Sequence, residues 1–246
     1  MKLITLNVWG GHVEQPLLNF VTQYADTDIF CFQELYHDAE NKISTEEREV
    51  NLNLFTILQG LLPEHKGFFR PVVADCFGSG VFVKKTVKVL DEGEVLIHHN
   101  PDYPGRGPTH SRNLQWLKFA TDNGQICHVC NVHGLWNGHG KTDTPERIAQ
   151  SHKIRDFMDA ITTPKILCGD FNLRPDTEST KIIETNLNNL VKIYKVNSTR
   201  TSYYTKEEKF ADYIFTSDDV QINTFRVLKD EVSDHSPLFL DFAIKA

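Results

Sequence analysis

Sulfur is sparse in this chain, with five Cys and two Met among 246 residues. The cysteines are Cys31, Cys76, Cys127, Cys130 and Cys168. Their number is odd and the chain is not small, which excludes a disulfide framework as the organising device. One CxxC occurs, "CHVC" at 127–130, with no second to complete a four-thiolate site. It lies within "GQICHVCNVHG", which reads as a strand, so residues three apart face opposite sides and do not share a metal. Burial as structural thiols is expected. No apolar run approaches the ~18 residues that a membrane span requires. "MKLITLNVWGG" alternates like a strand and lacks the apolar stretch of a signal peptide, so an intracellular, cytoplasmic setting is expected. Positive charge is also short: 26 Lys and Arg face 33 Asp and Glu, a net charge of −7. That excludes coating nucleic acid by bulk charge and leaves a local basic groove open. Linkers, low-complexity segments and repeats are lacking too, so one domain over residues 1–246 is expected.

What is present is a mixture of short strands and helices. Strands are predicted over residues 2–8 and, as a nearly all-apolar run, in "DIFCFQE". Leu17, Leu18, Val21 and Tyr24 recur at helical spacing. "STEEREVNLNLFTILQGLL" reads as a helix with Ser44 or Thr45 as N-cap and Val50, Leu54, Ile57, Leu58 and Leu61 on one face. Residues 68–98 are β-rich runs broken by Gly and Pro, which predicts antiparallel hairpins. "SRNLQWLKFATDNGQICHVCNVHG" predicts two strands around a "DNG" turn. "TPERIAQSHKIRDFMDAI" predicts a helix capped by Thr144 with Pro145 in its first turn, and "TESTKIIETNL" a shorter one. "KILCGDFN", "KFADYIFTS", "VQINTFRVL" and "SPLFLDFAI" supply further strands. An α+β fold follows, with two mostly antiparallel sheets packed face to face and helices outside.

Strand after strand ends in a residue able to bind metal or move a proton. Asn7, Glu34, His133, the Asp170–Asn172 pair, Asp212 and the Asp234–His235 pair all sit at such positions, where rigid sheets hold functional groups. Singly, each has a structural explanation: a turn, a core histidine, an Asx-turn, an edge charge. The ordered set does not. "LNVWG", "FCFQE", "NVHG", "GDFN", "ADYIF" and "SDHSP" resemble the successive motifs of the endonuclease/exonuclease/phosphatase superfamily, from residue 3 to residue 243. The resemblance implies a DNase I-like four-layer sandwich and phosphoester hydrolysis with Mg2+ or Mn2+.

It also implies roles. Glu34 would be the main metal carboxylate, with Asn7 beside the metal or the phosphate and Asp234 approaching the same cation. Asp170 would orient or activate water, and Asn172 would donate to a phosphate oxygen. His235, held by Asp212, would contact the phosphoryl group, and His133 would serve the phosphate or the leaving oxygen. Which histidine is the acid stays open. Abasic-site endonucleases carry an acid two residues after the first Asn, where Trp9 stands here, and this favours one metal at Glu34.

Substrate choice is less legible. "SRNLQWLKF" and "GDFNLRP" are similar to the 5′-tyrosyl-DNA phosphodiesterase branch, which makes Arg112 and Arg174 candidates for phosphate contact. Loop 99–111, flanked by His98 and carrying His99, Tyr103, Arg106 and His110, could form one wall of a groove. Loop 135–143, with Trp136, His139 and Lys141, could form another. Aromatic and basic residues suit a nucleotide. The expected substrate is therefore a phosphodiester in nucleic acid or a nucleotide. An inositol phosphate or sphingolipid on the same site is the alternative, and a non-catalytic binding module is the alternative of another class. A monomer without an obligate protein partner is expected.

Overall fold

The computed structural model describes residues 1–43, 50–105, 107–121 and 123–245. Twelve strands form two six-stranded sheets among these residues. The first sheet contains β1 (Lys2–Asn7), β2 (Ile29–Tyr36), β3 (His65–Val73), β4 (Phe77–Lys84), β11 (Val220–Val227) and β12 (Leu238–Ile244), in the order β11-β12-β1-β2-β4-β3. The second contains β5 (Lys88–His98), β6 (Arg112–Ala120), β7 (Ile126–His133), β8 (Lys165–Asp170), β9 (Asn188–Asn189) and β10 (Asp212–Thr216), in the order β5-β6-β7-β8-β10-β9. Only β1 with β2 and β7 with β8 pair in parallel; the other ladders are antiparallel. The helices are α1 (Glu14–Gln23), α2 (Leu54–Leu61), α3 (Pro145–Ala160), α4 (Glu178–Ile183) and α5 (Leu190–Ile193).

The period-2 alternation of the strands builds four layers. Ile4, Leu6, Phe30, Phe32 and Phe82 face outward from the first sheet and pack with Leu17, Phe20 and Val21 of α1 and Leu54 and Leu58 of α2. The opposite face carries Leu3, Ile29, Cys31, Val81 and Leu240, which meet Val129, Ile166, Cys168 and Ile214 of the second sheet. Ile154 and Met158 of α3, with Ile183 and Leu190, close the far side. All five cysteines are free and buried. No helix among the described residues is long and apolar enough to cross a membrane.

Several expectations shift in detail. The β-rich stretch 68–98 is not one run of hairpins: β3 and β4 pair, but the chain then crosses, and β5 pairs with β6 in the other sheet. Hydrophobic alternation marks strands but not which sheet receives them. The second helix covers only Leu54–Leu61, and Val50 packs near Tyr36 outside it. The proposed caps Ser44 and Thr45 lie outside the described residues. Thr144 does cap α3, accepting from Arg147 N, with Pro145 in the first turn.

The inter-sheet layer turns polar along one direction. Leu3 gives way to Thr5 and Asn7 on β1, and Cys31 to Gln33 on β2. Gln33 Nε2 donates to Asn131 Oδ1 at 2.7 Å and to Thr5 Oγ1 at 3.2 Å, tying the sheets together. Beyond this belt the parallel pairs β1/β2 and β7/β8 end together, and their last residues meet.

Candidate active site

Each functional side chain is delivered by a strand end or by the loop just past it. β2 carries a bulge between Phe32 and Leu35 against β4, and Glu34 sits in it with φ 59. A bulge re-aims one side chain out of the alternation, and here it turns Glu34 toward β1 and β7. On β8, Gly169 has φ 130, and a Cβ there would lie 2.0 Å from Val132 O. Only glycine lets β8 run this close to β7, which sets Asp170 opposite His133. Asn172 follows in the left-handed region at φ 55, a conformation Asn tolerates. Its N–H donates to Asp170 Oδ1 at 2.8 Å. "GDFN" is thus an Asx-turn and a site at once.

Asn7 is the hinge of the cluster. Its Nδ2 donates to Glu34 Oε1 at 2.8 Å and to Asp170 Oδ2 at 3.0 Å, while its Oδ1 accepts from Trp9 N at 2.9 Å. Reversing the amide would set its oxygen against two carboxylates. Asn7 therefore presents N–H rather than oxygen to Glu34 and Asp170 and binds the two carboxylates together.

His133 Nε2 stands 3.6 Å from Glu34 Oε1 and 3.9 Å from Asp170 Oδ2. On the other side, His235 Nδ1 is 2.7 Å from Asp212 Oδ1, and its Nε2 is 3.7 Å from Asp170 Oδ2. Thr199 Oγ1 donates to Asp212 Oδ2 at 3.0 Å, which orients that carboxylate. Asp234 Oδ1 lies 3.7 Å from His235 Nε2, and its Oδ2 accepts from Arg200 Nη1 at 3.0 Å.

The environments drive the two histidines apart. Burial pushes His133 well below its ordinary value, and Arg112 adds to this, so it is neutral near pH 7. Burial would also depress His235, but the Asp212 carboxylate overrides it and its pKa is raised. Burial opposes ionisation of Asp170; His235 and Lys141 outweigh it and hold the carboxyl well below its usual range. Burial raises Glu34, against the Asn7 hydrogen bond, and the Asp234 charge adds to the rise.

Glu34, His133, Asp170, Asn172, Asp234 and His235 line a cleft of about 1020 Å³. Tyr103, His110 and Arg112 form one flank, and Trp136, Lys141, Arg200, Tyr204 and Lys206 the other. Arg112 is buried, donating through Nη2 to Pro108 O at 2.9 Å, and its pKa is lowered to about 10 by burial. Arg174 is not among the lining residues. Its guanidinium forms a bidentate pair with Asp176 at 3.0 and 2.8 Å on the exterior. His98, His99 and His139 do not line the cleft either, and Arg106 lies outside the described residues.

Lys141, expected on the groove wall formed by loop 135–143, does line the cleft, and Arg200, which the sequence does not single out, joins it. Lys141, buried, donates to Asn172 Oδ1 at 2.6 Å, and burial lowers its pKa to about 8. Arg200 holds Asp234 and bridges His235 from a segment without a motif.

The donor atoms form two overlapping groups, Glu34 with His133 and Asp170, and Asp170 with Asp212 and His235, each within 4.8 Å. This convergence of strand-end carboxylates and histidines has a counterpart in known proteins. The model of the endonuclease/exonuclease/phosphatase family matches residues 4–235.

The chain belongs to that family.

Its members are hydrolytic phosphoesterases. No curated protein sequence matches the chain. Among solved structures, Bacteroides thetaiotaomicron mannosyl-6-phosphatase Bt3783 is 18% identical, with 99% of this chain and 100% of that one covered and a TM-score of 0.78. The catalytic domain of human Nocturnin, with bound sulfate, is 18% identical over 100% of this chain and 94% of that one, with a TM-score of 0.73. Truncated Caenorhabditis elegans TDP2 is 18% identical over 98% of this chain and 96% of that one, with a TM-score of 0.66. At these identities the likeness is one of fold, the DNase I-like pair of mixed sheets flanked by helices.

Proposed function

We propose that this protein hydrolyses a phosphodiester in nucleic acid or a nucleotide-containing substrate, with Mg2+ or Mn2+ as its cofactor. One observation carries the reading. Asn7 ties Glu34 and Asp170 together, and the Asp212–His235 pair faces them with His133 alongside. A structural ion-pair network would sit closed in the core; this one opens onto a cleft that Glu34, His133, Asp170 and His235 line.

The donor set fits a hard divalent cation. Glu34, 28% exposed on its side chain, offers carboxylate oxygens to the cleft, and its ionised form is disfavoured until a positive charge arrives. Asp234 is engaged by Arg200, so Glu34 is the principal ligand in this reading. When bound, the ion supplies charge to the phosphoryl oxygens and eases deprotonation of water.

The protein's own groups do the rest. Asp170, held ionised, accepts the proton of the attacking water or orients it. His235, whose protonated form the Asp212 carboxylate favours, would offer its Nε2–H to the phosphoryl oxygens. Neutral His133 presents Nε2 on the other side, within reach of the leaving oxygen. Asn172, locked by Lys141, orients Asp170 through its backbone N–H. Arg112, Tyr103 and Trp136 line the substrate groove, and Arg174 stands outside it. The aromatic and basic flanks favour a nucleotide over a lipid. A cytoplasmic monomer belongs to the same reading.

The test is hydrolysis of plain DNA, 5′-phosphotyrosyl DNA, RNA, inositol phosphates, a sugar phosphate and bis-p-nitrophenyl phosphate, each with Mg2+ and with EDTA. Mg2+-dependent turnover of a nucleotide diester is expected. Turnover of only monoesters would reject the substrate class, and turnover of none would favour a binding module.

A further inference from the structure

The chain is acidic overall, yet five cations, Lys42, Arg112, Lys141, Arg200 and Lys206, line the cleft against three carboxylates, Glu34, Asp170 and Asp234. The reaction described above uses the carboxylates and the two histidines. It leaves a surplus of positive charge, and much of this is gathered at one place.

That place is the ring of Trp136. Lys141 Nζ lies 5.4 Å from its centroid, Lys206 Nζ 5.5 Å and the Arg147 guanidinium 5.7 Å. Three like charges around one ring repel one another, and the ring's negative face offsets this only in part. The usual remedy is a carboxylate. Among the described residues, none of the three forms an ion pair. Lys141 donates to the Asn172 amide oxygen, Arg147 donates to Leu135 O and Thr142 O, and Lys206 is exposed. Arg147 Nη2 is buried without a hydrogen-bond partner. Arg200, over the Tyr204 ring at 3.9 Å, borders the same wall, with one carboxylate partner in Asp234.

The position of the cluster connects it to the reaction centre. Lys141 holds Asn172, whose N–H holds Asp170. Lys141 Nζ has three donors, and the Asn172 oxygen accepts from one. An anion seated against Lys141 and Lys206 therefore neighbours the phosphoryl group that Asp170 and His235 face.

We infer that the Trp136 wall is a second anion subsite, built by Lys141 and Lys206 around Trp136 with Arg200 in the same cleft, which takes a further phosphate carried by the substrate beside the scissile one. It rests on the phosphoesterase reading and adds a requirement to it. The protein selects substrates bearing two neighbouring phosphates over those bearing one. The second phosphate could belong to a nucleotide chain or to a phosphorylated sugar, and substrate pairs separate the two sources.

The experiment compares kcat/KM with Mg2+ within two pairs: the dinucleotide dTpdT with its 5′-phosphorylated form, and glucose 6-phosphate with glucose 1,6-bisphosphate. The wild type is expected to favour the doubly phosphorylated member of one pair by about tenfold, mainly through KM. The pair showing the preference identifies the source. Lys206→Glu reverses an exposed charge without touching the core, and Trp136→Ala removes the ring. Both should reduce the preference to about twofold or less. A wild type that turns over both members equally, or a Lys206→Glu protein that keeps the preference, overturns the subsite. If no member is turned over, hydrolysis of such esters is refuted, and calorimetry with inorganic pyrophosphate decides the subsite alone. Binding weaker by about tenfold in Lys206→Glu supports it, and equal binding rejects it.

Discussion

Replacing Asp212 by Asn removes a charge without changing the size of the side chain, and it tests the centre of the proposed mechanism. Asp212 is buried and receives His235 Nδ1 at 2.7 Å and Thr199 Oγ1 at 3.0 Å. A charge pair at that distance is worth about 6 kcal/mol at an effective dielectric constant near 20. Desolvation cancels most of this, and a hydrogen bond to a charged group nets about 1.5–3 kcal/mol. If all of it is lost from the transition state, kcat falls by about 10- to 150-fold. The pH profile adds a second reading. Asp212 raises the His235 pKa, so the imidazolium survives to higher pH in the wild type. Asp212→Asn should move the alkaline limb of the rate profile toward lower pH. The stabilisation from this pair has the same sign: it is complete below the unfolded value near 6.5 and is lost as pH rises through the higher folded value. The assay is steady-state hydrolysis of bis-p-nitrophenyl phosphate with saturating Mg2+ across pH, with circular dichroism as a fold control. A variant within about twofold of wild type with an unshifted profile would refute the assigned role of the pair.

Glu34→Gln should keep the fold but lower Mg2+-stimulated turnover by at least about a hundredfold, with a weaker response in a Mg2+ titration. Undiminished metal stimulation would remove Glu34 from the ligand set. Arg174→Ala should leave kcat/KM for a nucleotide diester within about twofold, since the guanidinium is engaged by Asp176 away from the cleft; a loss of about tenfold or more would bring Arg174 back to the substrate. Asp143 accepts from Glu178 N, Ser179 N and Ser179 Oγ at the start of α4, at 2.9, 2.9 and 2.6 Å. Asp143→Ala should cost about 1 kcal/mol in urea unfolding, as lost helix caps do. Burial opposes the lowering of its pKa, but the Ser179 and Glu178 donors prevail. The stabilisation is therefore present above the unfolded value and fades as pH falls through the lower folded one, so the wild-type and variant curves should converge in acid.

How these residues come together shows which parts of the protein are local. Alternation in "LITLN" and "KILCGD", the Thr144–Pro145 start of α3 and the left-handed Asn172 depend on neighbours within a few residues, where periodicity and cap chemistry are legible. The six strand-end motifs are likewise local, and their order sufficed to propose the DNase I-like fold, which the sheet topology bears out. Which sheet receives β5 after β4 is a matter of packing between distant segments, and alternation is silent on it. The orientation of the Asn7 amide depends on Trp9 N, Glu34 and Asp170 acting together across three strands. Arg174 looked like a partner for phosphate because it follows "GDFN", yet Asp176, two residues on, claims its fork. Arg200 carries no motif and reaches the cleft only because the segment before β10 folds over it, while Lys141, legible on an aromatic and basic loop, meets Asn172 only through the fold. Chemistry that a strand end announces belongs to the sequence; the charge balance of the cleft belongs to the tertiary structure, because it sums over side chains that only folding makes neighbours.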